Sequence, residues 1–184
     1  MSFTTIYKVE QNGKLYHATE LMDAQGSAPL VWSVISHKIL GDKNLWLSHI
    51  TQARKVWNYW KDPSCTEAEA FAILFTFDKA LIEGDRLNKA SNLFKQFLSE
   101  HPIKYDLPNN LPLIAEYCEK YSEEELMGLC FHQNSLSPNP WINEDTEENY
   151  DFSTGTEHFG VFTSLGKKEF SPPTAPDKGI FEKR

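Results

Sequence analysis

Glu157 and His158, beside the turn Thr154-Gly155-Thr156, are the strongest local cluster for acid–base chemistry in this 184-residue chain. A carboxylate next to an imidazole can pass a proton near neutral pH, although the same pair is common at hairpin ends. The remaining histidines (His17, His37, His49, His101, His132) are scattered, and no G-x-S-x-G elbow, P-loop or dinucleotide fingerprint accompanies them. Cys118, Cys130 and His132 form the one Cys/His grouping, with eleven residues between the two cysteines. Zinc sites use close pairs such as C-x2-C, so these thiols are expected in the core, unligated. Asn143, Asp145, Glu147, Asn149 and Asp151 alternate as calcium ligands do. An EF-hand loop needs glycine at its sixth position and glutamate at its twelfth. Counted from Asn143 those positions hold Glu148 and Thr154, and counted from Asp145 they hold Tyr150 and Thr156. No metal and no other cofactor is expected.

Charge is the most informative property left. Between Glu116 and Glu157 there are eleven acids and one base, Lys120, whereas residues 1–100 carry eleven of each. Glu123, Glu124 and Glu125 follow Ser122 as a capping box and are expected at a helix N-terminus, where carboxylates suit the dipole. Glu144, Asp145, Glu147, Glu148 and Asp151 have no such local reason, and the aromatics Trp141 and Tyr150 flank them. These seven residues are the expected partner-binding patch. An acidic loop can compete for the lysines and arginines that phosphates occupy, and it steers association. The counter-pole is the segment from His37 to Lys61, with five bases and one acid. Lys38, Lys43, Arg54 and Lys55 are its candidate anion-binding residues, for an external anion or for the acidic stretch of the same chain or of a second copy in a dimer.

The bulk numbers narrow the function classes. A net charge of −8 and a pI near 5.2 argue against broad binding to nucleic acid or to an anionic membrane. Aromatics at 13% are ample for a core and exclude global disorder. The start MSFTTIYKVEQNGK is not a signal peptide, the longest apolar run is Phe71–Phe75, and three cysteines give no disulfide framework. A reducing cytosol, bacterial or host, is the expected setting.

The elements that must position these residues follow from periodicity. Residues 5–18 alternate around Asn12-Gly13, which predicts a hairpin with a two-residue turn. A short helix is expected from Ala18 to Ala24, then helices over Leu30–Leu40, Asn44–Lys61, Glu67–Glu83, Arg86–Glu100, Leu111–Tyr121 and Ser122–His132. Trp46, Ile50, Ala53, Trp57 and Trp60 share one helix face and point inward. Thr66-Glu67-Ala68-Glu69 is a capping box, and the helix after it is apolar nearly all round, as suits the centre of a bundle. Tyr150–Leu165 is expected as a loose hairpin. The run Asn12–Leu21 loosely resembles the hairpin-into-helix start of phage KilA-N-type DNA-binding modules, and the resemblance covers ten residues.

The expected fold class is α-rich (α+β): a bundle of five or six helices with an N-terminal β-hairpin and a small irregular β-containing C-terminal segment. The expected domain is 1–166, with the hairpin at 5–18, the helical core at 30–134 and the acidic loop and hairpin at 141–166, followed by an extended tail at 167–184. The expected function is a non-enzymatic acidic binding protein that engages a basic, nucleic-acid-handling partner, as phage inhibitors and bacterial immunity proteins do. Two alternatives are a small enzyme with its site near Glu157/His158 and a DNA-associated regulator using the hairpin and the basic 37–61 segment.

Overall fold

The computed structural model describes residues 2–41, 52–76, 81–103 and 107–133, and the backbone of 142–143, 148–149 and 161–162. It shows a helix-rich α+β fold built on an N-terminal hairpin. Strands β1 (Phe3–Glu10) and β2 (Leu15–Met22) form that hairpin. The chain then makes one 3-10 turn and enters α1 (Ala28–Leu40). Helix α2 (Ala53–Asn58), a 3-10 turn over Tyr59–Lys61, α3 (Glu67–Phe75), β3 (Leu81–Glu83), α4 (Leu87–Glu100), α5 (Leu111–Tyr121) and β4 (Leu126–Gln133) follow. The sheet order is β2-β1-β4-β3-β7, where β7 is Val161–Phe162 and pairs parallel with β3 while the other neighbours are antiparallel. β5 (Ile142–Asn143) and β6 (Glu148–Asn149) pair separately.

Side chains alternate across the sheet. Ile6, Leu129, Phe131 and Ile82 join the main core with the helices, whereas Tyr7, Val9, Leu81 and Cys130 form a second buried cluster. The join is aromatic: Phe75 of α3 meets Phe131 of β4 and Phe94 of α4 edge-on, each at 5.0 Å between ring centres. As its composition predicts, α3 is buried all round, including Ala68, Ala70, Phe71, Ile73 and Leu74. Helix α1 begins where the amide of Ala28 donates to Gln133 at the end of β4, and it stops at Gly41, whose φ of 66° takes the left-handed cap that glycine adopts freely.

Three segments differ from expectation. Leu126–Gln133, expected as helix, is the central strand β4. Its residues are buried on both faces, so the apolar run lost the alternation that marks a half-exposed strand. Gly128 sits where an added Cβ would collide with the Ile82 carbonyl, so strand contact explains the glycine that a helix would disfavour. Ser122 therefore closes α5, with its hydroxyl donating to the Glu119 carbonyl at 2.7 Å, and opens no helix. The helix expected to reach Glu83 stops at Phe75, where the Thr76 hydroxyl donates to the Ile73 carbonyl and accepts from the Trp32 indole, and Leu81–Glu83 is strand. Ala18–Met22 continues β2, so the hairpin does not run directly into a helix and the resemblance to the KilA-N-type start fails there.

Smaller departures are local. Four residues join β1 to β2, with the Asn12 side chain accepting from the Lys14 amide and Gly13 alone in the turn at positive φ. Of the helix expected over Asn44–Lys61, Ala53–Asn58 is helical, Trp57 is buried and Trp60 is partly buried, while Trp46 and Ile50 lie outside the described residues. The expected Tyr150–Leu165 hairpin and the 167–184 tail also lie outside them, apart from β7. No helix among the described residues is long and apolar enough to cross a membrane.

Candidate functional site

The capping box at Thr66 builds more than a helix start. The amide of Glu69 donates to the Thr66 hydroxyl, and the Thr66 amide donates back to Glu69 Oε2 at 2.8 Å. That reciprocal bond turns the Glu69 carboxylate into the interior, where its side chain is 0% exposed. Its other oxygen, Oε1, accepts from Lys38 Nζ at 2.6 Å and from His101 Nε2 at 2.8 Å. Lys38 comes from the last turn of α1 and His101 caps the C-terminus of α4, so one buried carboxylate ties three helices. His101 is held in turn against Phe97, with ring centres 5.0 Å apart. The Thr66 hydroxyl adds a bond to Glu100.

The electrostatics follow from this geometry. Burial alone would raise the Glu69 pKa, but hydrogen bonds from His101, Lys38 and the Thr66 amide bring it down to about 2. Burial alone would lower that of Lys38, yet its bonds to Glu69 and Tyr59 hold it above its ordinary value. Lys38 also lies 5.4 Å from the centre of the Tyr59 ring. Glu69, Glu100 and His101 place ligand atoms within 4.8 Å of one another, a spacing a metal could bridge. A metal would have to sit about 2 Å from a carboxylate oxygen. Lys38 already places its ammonium against Oε1, so the cluster carries its own cation.

Lys38 has a second face. It lines an open groove of about 830 Å³ between the end of α1 and residues 55–64, together with Lys55 and Lys61. Ile39, Leu40 and Pro63 supply apolar wall. Asp62 is the one acid on the lining among the described residues, and its Oδ1 accepts from both the amide and the hydroxyl of Ser64.

The groove brings together two of the four anion-binding candidates, Lys38 and Lys55. Arg54 is exposed on α2 and does not line it, and Lys43 lies outside the described residues. Of the partner-binding patch, Trp141, Glu144, Asp145, Glu147, Tyr150 and Asp151 lie outside the described residues, and Glu148 is described by its backbone alone, in β6. Glu157 and His158 also lie outside them.

The first part of the acidic stretch is described. Glu116, Glu119, Glu123, Glu124 and Glu125 are all exposed. Glu119 pairs with Lys95 and Glu124 with Lys8, while Glu116, Glu123 and Glu125 have no ion-pair partner among the described residues. Lys8 and Lys120 also lie over the Tyr121 ring, at 5.2 and 5.0 Å from its centre, so bases interleave this part of the face. Cys118 and Cys130 are free and buried, with burial pushing the Cys118 thiol up to about 12 and that of Cys130 well above its ordinary value. Reactive thiols need the opposite environment, so these two are core residues.

Sequence reasoning saw Glu69 as a cap and missed it as an ionic centre. Its partners stand 31 and 32 residues away, beyond any local pattern. Compared with known proteins, the chain matches no family model, no curated protein and no solved structure.

Proposed function

We propose that the protein works by binding, as an acidic protein of the inhibitor or immunity type that engages a basic surface on a nucleic-acid-handling partner. The observation that carries this reading is the segregation of charge: eleven acids against one base between Glu116 and Glu157 in a chain whose first hundred residues balance. Folding does not require that arrangement. Glu116, Glu123 and Glu125 stand exposed without ion pairs among the described residues, which supports an outward use. The bonds of Glu119 and Glu124 are exposed pairs, worth roughly 0–1 kcal/mol each, so a basic partner could displace them at little cost. A negative face of this kind raises association rates and loses that advantage in salt.

Affinity capture with the intact chain from its native cell, followed by identification of what is retained, tests the reading. A basic nucleic-acid-handling protein, released as salt rises, is the expected result. Retention of an acidic partner, or retention insensitive to salt, would overturn it.

A further inference from the structure

The positive groove is independent of the acidic face and points to a different ligand. Gathering three lysines on one concave wall is unfavourable in itself, because like charges repel and a low-dielectric wall focuses their field. Lys38 is held there by Glu69 from the interior side, yet it keeps 36% side-chain exposure towards solvent. Lys55 has no carboxylate partner among the described residues, and Lys61 has the Trp60 ring, at 5.2 Å, in place of one. Several other polar groups of the wall are already engaged. Asn58 donates to the Arg54 carbonyl, and Ser64 donates to Asp62. What the groove offers a ligand is therefore ammonium charge from Lys55, Lys61 and the outer side of Lys38, offset in part by the Asp62 carboxylate, beside an aliphatic surface. Its volume of about 830 Å³ falls in the range of roughly 300–1,000 Å³ that small-molecule pockets occupy. Lysine ammoniums act as compact point charges and are common phosphate binders, and among the described residues no arginine fork lines the groove.

We propose that this groove binds a small phosphate ester, with the dianionic head taken by Lys55, Lys61 and Lys38 and the organic part lying along Ile39, Leu40 and Pro63. Lys38 arrives pre-positioned by its buried bond, so little side-chain freedom is lost when the ligand docks.

The test is an amide chemical-shift titration of the full chain with two probes, phenyl phosphate and inorganic phosphate. Both should shift residues 38–41 and 55–64 saturably, and phenyl phosphate should bind at least about threefold more tightly. The Lys55→Ala/Lys61→Ala variant, altered only at exposed positions and so expected to keep its melting temperature, should weaken both by about tenfold or more. An absence of saturable shifts, shifts centred elsewhere, equal affinity for the two probes, or unchanged binding by the double variant would each overturn the proposal. Salt-sensitive capture of a basic partner reads the acidic face alone, so the two readings fail separately.

Discussion

Glu69 and the trio Glu116, Glu123 and Glu125 are the same side chain under opposite conditions. Glu69 is wholly buried and accepts bonds from Lys38, His101 and the Thr66 amide. The other three are exposed and form no ion pair among the described residues. A buried carboxylate survives only with such partners, because an unpaired ion in a poor dielectric is driven to neutralise. An exposed one is solvated and contributes little to the fold. The difference teaches which acids hold the fold and which are left for something outside it.

The comparison is broken most sharply at Glu69. Glu69→Ala strands the Lys38 ammonium at the edge of the core and should cost about 3 kcal/mol in chemical denaturation, the low end expected for a broken buried pair because Lys38 can still reach water. A loss below about 1 kcal/mol would mean that the triad is ornamental. Acid should reproduce this loss. The folded pKa of Glu69, about 2, lies below its ordinary value of 4.5, so its stabilisation is fully present above pH 4.5 and is lost as pH falls towards 2. Roughly 3 kcal/mol should disappear across that window, and Glu69→Gln should flatten the stability–pH curve within it. Thr66→Ala removes one half of the capping box and should cost about 1 kcal/mol, read from the shift of the denaturation midpoint. On the exposed side, Glu124→Gln should change stability by less than about 0.5 kcal/mol despite its bond to Lys8, and a larger loss would erase the contrast.

The same contrast sets what the sequence could show. Local rules worked where local physics decides: the Thr66 capping box, the Gly41 stop, the Leu111–Tyr121 helix with proline in its first turn, and the pairing of β1 with β2, though not its two-residue turn, stand as the residue types imply. They failed where the outcome was set by partners distant in sequence. Leu126–Gln133 is flanked on both sides by strands that the chain supplies more than a hundred residues earlier and some forty residues earlier, and that double pairing overrides a plausible cap. Glu69 had a readable role at its own helix end and an unreadable one towards Lys38 and His101. The groove was half legible, since Lys38, Lys55 and Lys61 stood out by charge, Lys61 without being a named candidate, while the aliphatic wall emerged only from the fold.

The central claim is that the outward acids are the ones a partner reads. The direct measurement is the association rate of the captured partner with the intact chain and with the Glu116→Lys/Glu123→Lys/Glu125→Lys variant, altered only at exposed positions, across a salt series from about 50 to 500 mM, which spans Debye lengths of roughly 14 to 4 Å. The account predicts a rate that falls steeply with salt for the intact chain and a slow, nearly salt-independent rate for the variant, with both chains equally stable. A variant that associates as fast as the intact chain, or an intact chain indifferent to salt, would contradict it.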